Sequence, residues 1–223
     1  MVDALPISNA EVQRIYDRRS RHYARTVGRF ERRAHLRAIE LAQISPGDKV
    51  LEVAVGPGTT LVEILARVEG DNVVHGVDIS TGMLRQAART AAAAGYANFE
   101  LRQADARQLP YPDHSFDLVY NGYMLDLMNL QAIRAVLAEF RRVLRPGGRL
   151  VLVHVSKRHP ERITGFERLY EALPKRLVPR VLGLCRPLAV EAYVREAGFV
   201  DVVREFVGGL MPSEIIVAHR SRP

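Results

Sequence analysis

Between residues 49 and 155, short apolar runs alternate with stretches of helical periodicity, and that alternation restricts the chain to an α/β architecture. Residues 49–55, 73–78, 99–103 and 116–120 read as strands. "RLVLVHV" at 149–155 is apolar without interruption, the pattern of a parallel strand covered on both faces. Between the strands, Leu61, Ile64, Leu65 and Val68 recur at helical spacing, as do Met83, Leu84, Ala87, Ala88 and Ala91. A third set, Ile133, Val136, Leu137, Phe140, Val143 and Leu144, predicts a strongly amphipathic helix that stops at "RPGG". Ser80 is placed to cap the second helix and Gly95 to end it. After a helix near 190–197 come two β-rich runs, 200–207 and 215–218, joined by "GGLMPSE". That link is too short for a crossover helix, so the two runs are expected to pair antiparallel. The whole reads as a doubly wound sheet.

The bulk properties narrow the function classes. A chain of 223 residues fits one domain. No apolar run approaches the roughly 20 residues that span a bilayer, and the start, "MVDALPISNAEVQ", lacks the basic and apolar regions of a secretory signal. Cys185 is the only cysteine, which excludes an intramolecular disulfide and makes a cytoplasmic setting the expectation; it reads as a small buried hydrophobe. The net charge of +7 is concentrated. Residues 11–40 hold nine arginines against Glu11, Asp17, Glu31 and Glu40, and residues 157–186 hold eight Lys or Arg against Glu161, Glu167 and Glu171. These patches are either solvated arginine-rich helix faces or amphipathic pieces that lie on an anionic membrane or cover a lipophilic acceptor. They lack interleaved aromatics for base stacking, so nucleic acid is not the expected partner.

The chemistry begins at "VLEVAVGPGTT", where the first strand breaks on Gly56 and Gly58. In open parallel sheets, ligands bind beyond the carboxyl ends of the strands, and glycine there lets a ligand approach the backbone. A dinucleotide fingerprint would need a further glycine where this chain has Leu61, and no G-K-[ST] phosphate loop follows. The second strand ends in Asp78, at the position and spacing where a carboxylate accepts hydrogen bonds from ribose hydroxyls. The expected ligand therefore contains a nucleoside.

Four motifs in order, Glu52 to Gly58, Asp78, "QADARQLPYPDHSFDLV" with Asp105, and "LRPGGRLVLV" from Leu144, resemble those of class I S-adenosylmethionine-dependent methyltransferases. Within that class, "LEVAVGPG" and "LPYPDHSFD" are most similar to the ubiquinone/menaquinone C-methyltransferases. The chain departs from them with Glu52 for Asp, Val55 for Gly and Pro57 for Thr, and it carries Ala54 where the general class prefers glycine. The resemblance implies a Rossmann-like, seven-stranded, mostly parallel sheet with an antiparallel C-terminal strand and helices on both faces. It divides one domain, 1–223, into an N-terminal helical lid (1–44), a cofactor core (45–155), an acceptor-site insertion (156–188) and a C-terminal helix with β-hairpin (189–223).

The cofactor implied is S-adenosyl-L-methionine. By the same resemblance Glu52, Ala54 and the Gly56–Gly58 backbone would hold its methionyl end, Asp78 the ribose, Ile79 the adenine face, and Asp105 with Ala106 the adenine amino edge. Asn121 would lie where methyl group and acceptor meet, or serve as a turn residue. His154, at the end of the fifth strand, is either the general base or a satisfied buried histidine. Tyr123, Tyr16, His22 and Tyr23 are candidates for the acceptor pocket. The seven histidines are scattered, with no metal-ligand spacing. The acceptor implied is small or lipophilic and quinone-precursor-like, methylated on carbon or oxygen; the alternatives are phosphatidylethanolamine-type N-methylation and non-catalytic cofactor binding.

Overall fold

A computed structural model describes residues 9–19, 28–157, 165–173, 186–208 and 212–222. Seven strands form one sheet in the order β3-β2-β1-β4-β5-β7-β6: β1 Val50–Val53, β2 Val74–Asp78, β3 Phe99–Gln103, β4 Phe116–Gly122, β5 Leu144–Val155, β6 Phe199–Val207 and β7 Ser213–Arg220. Pairing is parallel from β3 through β5, while β7 runs antiparallel to both β5 and β6. The short "GGLMPSE" link therefore does make a hairpin, and its second strand inserts between β5 and β6.

Among the described residues the helices are α1 Asn9–Arg19, α2 Gly28–Ala42, α3 Thr59–Leu65, α4 Thr81–Ala93, α5 Leu130–Val143, α6 Gly165–Ala172 and α7 Glu191–Glu196, with a 3₁₀ turn at Leu125–Leu127. Ser80 caps α4 by accepting a hydrogen bond from the Met83 amide at 3.1 Å, and Gly95 follows that helix in the left-handed conformation that ends it. Asn129 caps α5 in the same way through the Ala132 amide, 2.9 Å away.

Strand alternation divides the core into two layers. Leu51, Val53, Val119, Leu150 and Leu152 face α5 and α7, where Ile133, Val136, Leu137, Phe140 and Val143 are all fully buried. Val50, Leu118, Tyr120, Val151 and Val153 face the other way, against Ala34, Ala38, Ile39 and Ala42 of α2 and the apolar sides of α3 and α4. Each large side chain so buried contributes about 1.5–3 kcal/mol.

The largest boundary difference from the pattern is at the fifth strand. The fifth strand begins at Leu144 rather than 149: Leu144 pairs with Phe116, the register shifts, and pairing resumes at Arg149 opposite Leu118. Gly147, at φ 77°, supplies the left-handed residue that loops 145–148 out between the two paired parts. Among the described residues no helix is long and apolar enough to cross a membrane. Most of the second basic segment, together with His22, Tyr23 and Cys185, lies outside the described residues.

Candidate active site

A cavity of about 450 Å³ opens at the carboxyl ends of β1, β2 and β4 and is roofed by α1 and α2. Its volume lies in the range of small-molecule sites, roughly 300–1,000 Å³. One end is built from the β1 turn. Glu52, Ala54 and Gly56 line it, and Ala54 and Gly56 both adopt left-handed backbone, at φ 61° and 54°. A left-handed alanine costs about 1–2 kcal/mol, and here it stands at the cavity wall. A methyl group built on Gly56 would find nothing nearer than the Ala54 carbonyl at 4.0 Å. Gly56 is thus open toward the space a ligand would fill.

Gly58 has a different role. It is not among the cavity residues, and a methyl group on it would sit 2.6 Å from the Ala87 Cα. The second glycine of "GPG" is where α3 packs against α4.

The carboxylates are spaced along the cavity. Asp78 Oδ2 accepts from the Gly56 amide at 2.9 Å and Oδ1 from the Ser80 amide at 2.8 Å, which ties the β1 and β2 turns together. Burial nevertheless pushes its pKa up to about 6, against the opposing pull of those amides. Glu52 is raised well above the usual carboxylate range, first by burial and then by the neighbouring Asp78 charge. Its Oε2 is buried with no hydrogen-bond partner among the described residues. Ile79 and Ala106 give apolar wall farther along. Asp105, also in the wall, accepts from the Arg107 amide at 2.9 Å and from its guanidinium at 3.0 Å.

Two further candidates stand elsewhere. Asn121 is buried and donates through Nδ2 to the Val53 carbonyl at 2.9 Å, clasping β4 to β1 instead of lining the cavity. His154 shares the strand face of Leu150 and Leu152, on the α5 side of the sheet. Its Nε2 lies 3.1 Å from Glu214 Oε2, whose other oxygen accepts from Arg204. His154 therefore stands at the carboxyl end of its strand as expected, but it is buried against Glu214 and does not line the cavity, which is the satisfied buried histidine of the two readings.

Tyr123 and Tyr16 do reach the cavity. Tyr123 is held at φ 52°, its hydroxyl 2.7 Å from Ser213 Oγ.

Glu31 and His35, one turn apart on α2, are not among the candidates above: Glu31 enters the sequence analysis only as a charge within residues 11–40, and His35 only as one of the seven scattered histidines. Both line the cavity. His35 Nδ1 is 2.7 Å from the Tyr120 hydroxyl, and Tyr120 pairs in register with Glu52. The signal available was the helical stripe Ala34, Ala38, Ile39 and Ala42, which brings the flanking Glu31 and His35 against the sheet.

S-adenosylmethionine fits these residues. An ammonium or sulfonium would satisfy the partnerless Glu52 oxygen and relieve the raised pKa values of Glu52 and Asp78, and Gly56 leaves room at the backbone. When bound, that group supplies an electrophilic methyl on a positively charged sulfur; alignment and exclusion of water are the protein's share. Fold and site together define a Rossmann-like protein whose cavity suits a cationic nucleoside.

Comparison with known proteins makes this specific. A model of the methyltransferase domain matches residues 50–148. The demethylmenaquinone methyltransferase of Geobacillus stearothermophilus is 30% identical over 201 residues, covering 88% of this chain and 82% of that one. Its counterpart from Geobacillus kaustophilus (strain HTA426) is 29% identical over the same shares. Among solved structures, that of the [4+2]-cyclase SpnF superposes with a TM-score of 0.77 over all of both chains at 19% identity, a likeness of fold. The chain belongs to the class I S-adenosylmethionine-dependent methyltransferases.

Proposed function

We propose that the enzyme methylates a ring carbon of a lipophilic, quinone-precursor-like acceptor. The observation that carries this reading is the composition of the cavity beyond the cofactor-holding carboxylates. Met124, Leu127, Met128, and Val12 and Tyr16 of α1 give the cavity an apolar lining. Such walls suit a flat hydrocarbon ring and exclude water from it. The relatives named as demethylmenaquinone methyltransferases support the same acceptor class.

We also propose that the acceptor is taken from an anionic lipid surface. Arg14 and Arg18 of α1 and Arg32 and Arg33 of α2 are exposed on the two helices that roof the cavity. Arg37, by contrast, is engaged by Glu205 at 2.6 Å and Glu40 at 2.9 Å. About 1 kcal/mol per basic residue near an anionic surface is enough for reversible contact.

The test begins with titration calorimetry of S-adenosylhomocysteine on the wild type and on Asp78→Ala. Micromolar binding that is lost in the variant is expected. Turnover is then followed with demethylmenaquinol and, separately, with phosphatidylethanolamine vesicles. Methylation of the quinol alone supports the proposal; methylation of the lipid amine, or binding without any turnover, refutes it.

A further inference from the structure

We propose that His35, locked by Tyr120 with its proton on Nε2, is the donor that recognises a ring oxygen of the acceptor. The inference rests on the aromatic-acceptor reading above and extends it to a residue in the roof.

Tyr120 is fully buried, and its hydroxyl makes one contact among the described residues, with His35 Nδ1 at 2.7 Å. A buried hydroxyl that fails to donate costs roughly 1–3 kcal/mol. The phenol also keeps its proton. Burial raises its pKa far above the ordinary value, and the nearby Glu52, Tyr123 and Glu31 push it the same way. Tyr120 therefore donates and Nδ1 accepts. A neutral imidazole carries one N–H, so the proton is on Nε2.

The ring is neutral as well. Burial lowers the His35 pKa to about 4. Nε2 has no partner among the described residues, on a residue that lines the cavity.

The surroundings hold that orientation. A methyl group built on Gly122 would lie 2.4 Å from His35 Cε1, so the end of β4 is bare where the ring rests. Tyr123 meets the imidazole edge-on at 5.2 Å. A neutral, fixed N–H on the wall of a cavity with this apolar lining suits an oxygen carried on a flat ring, either a carbonyl or a hydroxyl losing its proton. That N–H does not itself suit an ammonium, which needs an acceptor; at this position it favours a hydroxylated or oxo-substituted ring, while the carboxylates of the cavity are left for the cationic cofactor.

The test uses two near-isosteric probes, 1-naphthol and 1-methylnaphthalene, titrated into the full chain saturated with S-adenosylhomocysteine. Wild type is expected to prefer the naphthol by roughly tenfold, the worth of one hydrogen bond. His35→Leu should abolish the preference and His35→Gln, which keeps an amide donor, should retain part of it. Nitrogen-15 NMR of histidine-labelled wild type should show the Nε2–H tautomer, and Tyr120→Phe should release it, whether or not the His35 variants fold.

An Nδ1–H tautomer in the wild type overturns the proposal, as does an unchanged preference in His35→Leu. So does loss of S-adenosylhomocysteine binding in a folded His35→Leu, which would place the residue at the cofactor. Wild type that binds neither probe also overturns it. Turnover of demethylmenaquinol, measured separately, decides the acceptor reading itself.

Discussion

The two glycines of "GPG" make a paired experiment, because one motif contains two different physical demands. In Gly58→Ala the new methyl group meets the backbone of α4: Ala87 Cα at 2.6 Å and its carbonyl oxygen at 3.0 Å. Neither atom belongs to a flexible side chain, so α3 and α4 must separate. Overpacking of this kind costs about 1–3 kcal/mol. Holding alanine at φ 83° adds about 1–2 kcal/mol. The expected loss is therefore about 2–5 kcal/mol in urea denaturation. In Gly56→Ala only the backbone strain applies, about 1–2 kcal/mol, because the methyl group enters open space at the cavity. That variant should remain folded while S-adenosylhomocysteine affinity, measured by calorimetry, falls by roughly tenfold or more as the methyl group takes ligand volume. Restoring space with Ala87→Gly in the Gly58→Ala background should not rescue stability, since the closest contact is to Cα. Rescue by Ala87→Gly, or a Gly56→Ala variant less stable than Gly58→Ala, would refute the reasoning.

Two further outcomes follow from charge and capping. Asp78 titrates near 6 without ligand and must be ionised to accept from ribose hydroxyls, so S-adenosylhomocysteine affinity should fall roughly tenfold between pH 7 and pH 5, with Glu52 acting in the same direction. The same elevation has the opposite consequence for the ligand-free fold. Stability owed to Asp78, and to Asp126, which burial raises to about 7, is present below pH 4 and lost as pH rises through 6 and 7. His35, which burial lowers to about 4, gains stability as pH rises toward 6.5 and so opposes these carboxylates. The comparison is therefore between wild type and Asp126→Asn: from pH 5 to pH 8 the melting temperature of wild type should fall more, or rise less, than that of the variant, an identical pH dependence contradicting the assignment. Finally, Asp17 of α1 accepts from Ser80 Oγ at 2.5 Å and the Gly82 amide at 2.9 Å, fastening the roof to the start of α4. Asp17→Ala should cost about 1 kcal/mol in thermal denaturation and hasten dissociation of S-adenosylhomocysteine in stopped flow; an unchanged dissociation rate would show that α1 does not cover the ligand.

What the sequence determined by itself was everything written in local periodicity and turn chemistry. The alternation of strand and helix, the cap at Ser80, the hairpin enforced by a short link, and carboxylates at the ends of successive strands all depend on residues close together in the chain. A period of 2 or 3.6 already says which side chains share a face, and glycines around a proline already say where a strand must turn.

Tertiary structure alone decided what lies above each face. His154 lies near the end of an apolar strand as its sequence pattern implied, yet β7 pairs with that strand and sets Glu214 against it, which leaves the imidazole buried and away from the cavity. Asn121 was spent on Val53 because β4 pairs with β1, 68 residues away in sequence. His35, one of seven histidines scattered in the sequence, became a cavity residue because α2 packs on β5 and β7, which brings it to Tyr120 at the neighbouring β4, 85 residues further on. Gly56 and Gly58 are indistinguishable as letters; only the approach of Ala87 makes one a packing contact and leaves the other open to the ligand. Local sequence sets the orientation of a side chain within its own element, but burial and pairing depend on which distant element covers it, and that is fixed only when the whole sheet assembles.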